Sequence, residues 1–292
     1  MNARPKAVAS MSAGGLPVFS RPRDMSAVCG KFAEDAVLSM EKVADGTCTL
    51  PGGAAYSYSM YSTFAENAFT GTGAGNVRPW IVSPHVIASA AHYGGLNRSG
   101  PVSLAGVSAV RGTWVSLRTW ALANGFSAAE VDSAADIGDI VLCPCSSASG
   151  FPASAVPLFA GAGRRRRTFR RDTWDGMLAW QSPQVSAAGV QYAVPVSMRG
   201  DRAWSSAFLC PERAPERVRA KLSSALPSYR TYVGDSGKPV YLMVDGAPVV
   251  VSQSHSVSFA GGVPVTTGPD MSAAVPMLKA YVESVGDRLL EI

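Results

Sequence analysis

The chain has 292 residues, among them 29 glycines and 20 prolines, and only 16% of its side chains are charged. That length can bury a large core, and that mix favours short strands and tight turns over long solvated helices. A net charge of +5 is too small to mark the whole chain as a nucleic-acid binder, and no run of about 20 apolar residues is present to cross a membrane.

The first segment is polar and irregular. After Lys6, the stretch Ala7 to Phe19 is interrupted by Ser10, Ser12, Gly14, Gly15 and Pro17, so it lacks the continuous apolar stretch of about 7–15 residues that a secretory signal needs. A cytoplasmic or virion-associated location is therefore expected. Residues 1–45 read as an extension with Pro5, Pro17 and Pro22. Phe32, Val37, Met40 and Val43 predict a short helix over Phe32–Val43. This arm is a candidate docking segment for a second copy of the chain or for virion proteins.

From about residue 46 the pattern changes to strands. Gly71-Thr72-Gly73-Ala74-Gly75 has neither the G-x-G-x-x-G nor the Walker spacing and reads as a plain turn. Trp80–Val82 and Val86–Ala88 predict two strands about a turn at Ser83-Pro84-His85, and the second runs directly towards His92. Val107–Leu117 and Ile140–Cys145 predict further strands. Between them, Ser127 and Glu130 stand at capping-box spacing and predict a helix over Ser127–Ala135.

Five cysteines (Cys29, Cys48, Cys143, Cys145 and Cys210) leave at least one thiol unpaired within the chain. Cys143 and Cys145, two apart, share one side of a strand. Mostly reduced thiols are expected. No second Cys pair or His pair stands at ligand spacing, so no metal site is expected.

The second half begins near residue 151. Arg164-Arg165-Arg166-Arg167-Thr168-Phe169-Arg170-Arg171 carries six cations in eight residues. It reads either as a solvated loop or as a candidate patch for an anionic partner, with Phe169 and Trp174 near enough to stack. Met177–Gln181 and Gln191–Met198 predict strands. Val240–Val244 and Val249–Ser252 predict a hairpin through Asp245-Gly246-Ala247-Pro248. At the end, Ala274, Met277, Leu278, Tyr281, Val282, Val285 and Leu289 recur at three and four, which predicts an amphipathic helix capped by Ser272.

Three short motifs carry chemistry: Ser89-Ala90-Ala91-His92, Gly138-Asp139-Ile140-Val141-Leu142 and Gly234-Asp235-Ser236-Gly237. A serine hydroxyl is a weak nucleophile at neutral pH. It needs a base within hydrogen-bond reach, and that base needs an orienting carboxylate. Each motif also has a plainer reading. His92 could be a buried histidine bonded to backbone, and Ser236 a turn serine. Asp136, in Asp136-Ile137-Gly138, competes with Asp139. The unbroken apolar run after Asp139 favours Asp139 as the residue at the head of a strand.

His92 and Asp139 are 47 residues apart, and Asp139 and Ser236 are 97 apart. In order and spacing the motifs resemble those of the trypsin-like, chymotrypsin-fold serine peptidases of bacterial and viral type, over roughly residues 46–292. That resemblance implies an all-β fold of two six-stranded antiparallel Greek-key barrels closed by a C-terminal helix. Residues 46–150 would hold His92 and Asp139, and residues 151–292 would hold Ser236. It implies hydrolysis of peptide bonds in a peptide or protein substrate through an acyl-enzyme, with Ser236 as nucleophile, His92 as base and acid, and Asp139 as orienter. The amides of Gly234 and Ser236 would form the oxyanion hole. No cofactor is implied.

The resemblance also places Arg230 at the base of a substrate pocket walled by Ser252, Gln253 and Ser254, with His255 next. A cation there would favour an acidic substrate side chain. Alternatively Arg230 points to solvent or blocks the pocket. Ser252 is further expected to hydrogen-bond Asp139. Where the family often has a second glycine after the Ser-Gly pair, this chain has Lys238 and Pro239. A second reading of the same features is an assembly or structural module, such as a bacteriophage virion or tail component, built on this fold with weak or lost activity.

Overall fold

A computed structural model of the chain describes residues 42–49, 55–61, 79–93, 99–160, 178–181, 186–187, 190–191, 194–198, 203–205, 216, 236–244, 247–260 and 263–291. The predicted features at Gly71–Gly75, Arg164–Arg171 and Asp245-Gly246 lie outside them, as does the N-terminal arm up to residue 41. The last two residues of the helix predicted over Phe32–Val43 belong instead to a strand, Lys42–Thr49.

The described residues are mostly strands, with a curled antiparallel sheet in the form of a half-barrel and a helix at the C-terminus. In chain order the strands are β1 (Lys42–Thr49), β2 (Ala55–Tyr61), β3 (Trp80–Ser83), β4 (Val86–Ala90), β5 (Gly100–Leu104), β6 (Val107–Arg111), β7 (Val115–Ser116), β8 (Ile140–Ser146) and β9 (Leu158–Phe159). They continue with β10 (Leu178–Gln181), β11 (Ser186–Ala187), β12 (Val190–Gln191), β13 (Val194–Met198), β14 (Ala203–Ser205), β15 (Pro239–Val244), β16 (Ala247–Gln253), β17 (Ser256–Ala260) and β18 (Val263–Thr267). Helices α1 (Leu117–Ala123) and α2 (Ala128–Ser133) lie between β7 and β8, and α3 (Met271–Ser284) follows β18.

Two sheets hold most of this. The first runs β3-β4-β8-β6-β5, with β7 also on β8. Every residue of β3 and β4 is buried, which is why Trp80-Ile81-Val82 and Val86-Ile87-Ala88 read as unbroken apolar runs: these two strands are covered on both faces. The second runs β17-β18-β14-β13-β10-β15-β16-β9, antiparallel except for β16 with β9. The β15–β16 pair forms at the predicted hairpin, with Val244 opposite Ala247.

The strand predicted over Val107–Leu117 stops at Arg111, resumes for two residues, and gives way to α1 at Leu117. Leu117 and Ala121, four apart, form the buried face of α1. The predicted capping box is present: the Ser127 hydroxyl accepts from the Glu130 amide, and the Glu130 carboxylate accepts from the Ser127 amide at 2.8 Å and hydroxyl at 2.7 Å. Those bonds hold the Glu130 carboxyl below its ordinary value. Helix α3 is capped by Asp270 rather than Ser272. The Asp270 carboxylate accepts from the Ser272 and Ala273 amides and from the Ser272 hydroxyl, and an anion suits the positive end of the helix. The helix ends at Ser284, so Leu289 is buried beyond it.

The sheets and helices meet in one core. Trp80 of the first sheet packs against Phe159 of the second at 6.1 Å between rings, and Trp120 of α1 meets Tyr281 of α3 edge-on at 5.3 Å. Burial, more than any other influence, pushes the Tyr281 hydroxyl up to about 12. Asp287 ties the chain after α3 to the β3–β4 turn, accepting from the Ser83 hydroxyl at 2.7 Å and from the His85 amide at 2.6 Å, and pairing with the His85 ring at 2.8 Å. Cys143 and Cys145 are free and buried on β8.

Gln253 of β16 joins the two sheets by polar bonds. Its buried amide accepts from the Trp80 indole at 3.4 Å and donates to the carbonyls of Ser89 at 3.4 Å and Asp139 at 3.1 Å. Gln253→Leu keeps the volume and removes all three bonds. It should cost about 1–3 kcal/mol, read as a lowered midpoint in urea unfolding with the slope unchanged.

Candidate active site

Strand register brings two of the three motif residues together. Strands β4 and β8 pair antiparallel with Ala90 opposite Ile140. His92 lies two residues past the end of β4, in a single 3-10 turn, Ala91–Tyr93. Asp139 lies one residue before β8, at the end of a second 3-10 turn, Ile137–Asp139. Both therefore emerge at the same edge of the same sheet. The Asp139 Oδ1 accepts from His92 Nδ1 at 2.6 Å and from the His92 amide at 3.1 Å.

The third residue comes from the other sheet. Ser236 sits in the turn that enters β15. That turn extends the β15–β16 ladder: the Gly237 amide donates to the Ser254 carbonyl, and the Ser254 amide donates to the Lys238 carbonyl, each at 2.8 Å. Lys238 is buried beside it. The Ser236 Oγ lies 2.6 Å from His92 Nε2.

The protonation pattern follows from what each atom can do. An ionised carboxylate only accepts, so the neutral imidazole carries its proton on Nδ1 and turns the Nε2 lone pair to the Ser236 hydroxyl. The Asp139 side chain is 6% exposed and the His92 side chain 38%. A shielded carboxylate holds the ring strongly, while the ring itself stays partly exposed. The second carboxylate oxygen of Asp139 is buried without a hydrogen-bond partner.

Asp136, the alternative to Asp139, has a different neighbour. It adopts a left-handed backbone (φ 57°), which Asp tolerates better than most residues, and its Oδ2 lies 3.9 Å from His255 Nδ1. The His255 ring in turn lies 5.2 Å from that of His92. Two His–Asp pairs thus stand side by side, and the His92 pair reaches Ser236.

The remaining expected site residues are dispersed. Ser252, Gln253 and Ser254 are all buried and bonded inside the protein. The Ser252 hydroxyl donates to the Pro269 carbonyl at 2.8 Å, so it does not serve Asp139 as expected; the Asp139 main chain is bonded by Gln253 instead. The Ser254 hydroxyl accepts from Gln181 at 2.7 Å. His255 is half-buried, and its ring lies beside that of His92. Arg230, Gly234 and Asp235 lie outside the described residues. One feature is invisible in linear spacing: His92, Asp139 and His255 each offer a ligand-type atom, all within 4.8 Å of one another.

No family model matches the chain, and neither does any curated protein. Residue geometry alone therefore defines the site. Among the described helices none is long and apolar enough to cross a membrane.

Gly237 controls the approach of the two sheets. It has φ 80°, and a Cβ there would fall 2.7 Å from the Ala90 amide nitrogen. Gly237→Ala combines a strained backbone with a clash against main chain. It should push Ser236 away from His92 and cost about 1–3 kcal/mol of stability, read as a lowered midpoint in urea unfolding.

Proposed function

We propose that the protein is a serine hydrolase of the trypsin-like kind that cleaves peptide bonds through an acyl-enzyme. The observation that carries this reading is the continuous chain of short contacts from Asp139 through His92 to Ser236. In the proposed reaction, Ser236 Oγ attacks the substrate carbonyl carbon while its proton passes to His92 Nε2. Asp139 stabilises the imidazolium that forms and remains ionised. Collapse of the tetrahedral intermediate breaks the C–N bond as the leaving amine takes the proton from His92. Water then repeats the sequence on the acyl group and frees Ser236.

The developing oxyanion would be held by the amides of Ser236 and Gly234. Peptide as the substrate, and the division into two Greek-key barrels over residues 46–150 and 151–292, rest on the resemblance of the three motifs to that family. The two sheets are compatible with that division, because His92 and Asp139 come from one and Ser236 from the other.

A fluorophosphonate probe tests this directly. Wild type should be labelled and Ser236→Ala should not. Asp139→Asn should label far more slowly, since the wrong tautomer of the base costs about 10^4-fold in rate. A folded wild-type protein that resists the probe would overturn the hydrolase reading and leave the assembly-module reading in its place.

A further inference from the structure

We propose that His92, Asp139 and His255 form a binding site for a zinc-class transition-metal ion, and that occupation of this site takes from His92 the lone pair it turns to Ser236. Two imidazoles and one carboxylate are a ligand set suited to zinc or copper(II) rather than to magnesium or calcium. Their ligand atoms already lie within 4.8 Å of one another. Tetrahedral zinc, with bonds of about 2.0–2.2 Å to N and O, needs ligand atoms about 3.3 Å apart.

Two further observations point to a cation. The Asp139 carboxylate is nearly fully buried, yet its second oxygen has no hydrogen-bond partner. A buried carboxylate oxygen left unbonded is costly, and a metal ion would satisfy it. His255 stands beside His92, with its ring 34% exposed and Asp136 at 3.9 Å. Asp136 is placed to orient His255, as carboxylates commonly do for ligating histidines.

The conflict follows from the two ring nitrogens. Asp139 meets His92 at Nδ1 and Ser236 meets it at Nε2. A metal on Nε2 takes that lone pair directly, and a metal on Nδ1 leaves the ring proton on Nε2, so either way no lone pair is left for the Ser236 proton. This consequence rests on the proposed hydrolase reading, under which the ion is an inhibitor. The binding site itself does not depend on that reading.

Zinc titration by calorimetry tests the site without activity. Wild type and Ser236→Ala should each bind one zinc ion, and cobalt(II) should give the visible absorption of a four-coordinate site. His255→Ala, His255→Gln and His92→Ala should each weaken zinc by about tenfold or more. His85→Ala, which removes the remaining histidine, should not. Absence of zinc binding in wild type, or unchanged affinity in both His255 variants, overturns the site. Loss in the His255 variants with full affinity in His92→Ala also overturns it, since the ion would then rest on His255 and Asp136. In a second arm, zinc should slow fluorophosphonate labelling of wild type and lose that effect in His255→Ala. If zinc binds in the expected pattern while the probe labels nothing, the hydrolase reading fails and the metal site stands.

Discussion

The pairing of β4 with β8 is the constraint on which the rest of the site depends. Ala90 opposite Ile140 sets the distance between two turns that share no other ladder. A slip of one residue would shift Asp139 by about 3.4 Å along the strand, more than the whole length of its bond to His92. It would also turn the β8 side chains to the opposite face. Val86-Ile87-Ala88 and Ile140-Val141-Leu142 are buried throughout, so each is fixed by packing on both faces. Apolar burial thus holds the two strands together, and the polar geometry at their ends depends on the register in which they pair.

The second sheet is docked on that frame by contacts that tolerate little change. Trp80 against Phe159 supplies apolar area, but area alone is non-directional. Direction comes from Gln253, whose one side chain is bonded to Trp80, Ser89 and Asp139, and from Gly237, which lets the Ser236 turn lie against the end of β4. Gln253 bonds the main chain of Asp139, while the side chain of Asp139 bonds His92. Sheet docking and site geometry therefore share a residue, and loss of one is felt by the other.

Much of this was legible in the sequence, for physical reasons that differ by element. The buried strands were legible because a sheet covered on both faces leaves a continuous apolar run. The Ser127–Glu130 cap was legible because its bonds are local. Helix α1 was missed because only Leu117 and Ala121 form its inner face, too few to show a period beside the β-branched residues before it. Asp270 took the cap expected of Ser272 because both are good caps two residues apart, and only the fold decides which lies at the helix start. The inward turn of Ser252, Gln253 and Ser254 had no linear signal, since their partners Pro269, Trp80 and Gln181 are set by tertiary packing.

Asp136 and Asp139 show how a near-duplicate motif is resolved. The two carboxylates are three residues apart, and the 3-10 turn between them has about three residues per turn. Such a turn places residues three apart on the same side, so both acids point towards the histidines. Each then meets a different histidine, Asp139 at 2.6 Å and Asp136 at 3.9 Å. The shorter, shielded pair fixes a tautomer and the longer, open pair does not. The same tight turn that leaves the choice between the acids ambiguous in the sequence thus assembles a four-residue cluster, and the burial of its carboxylates, 6% exposed for Asp139 against 38% for Asp136, divides it into a tightly and a loosely held imidazole.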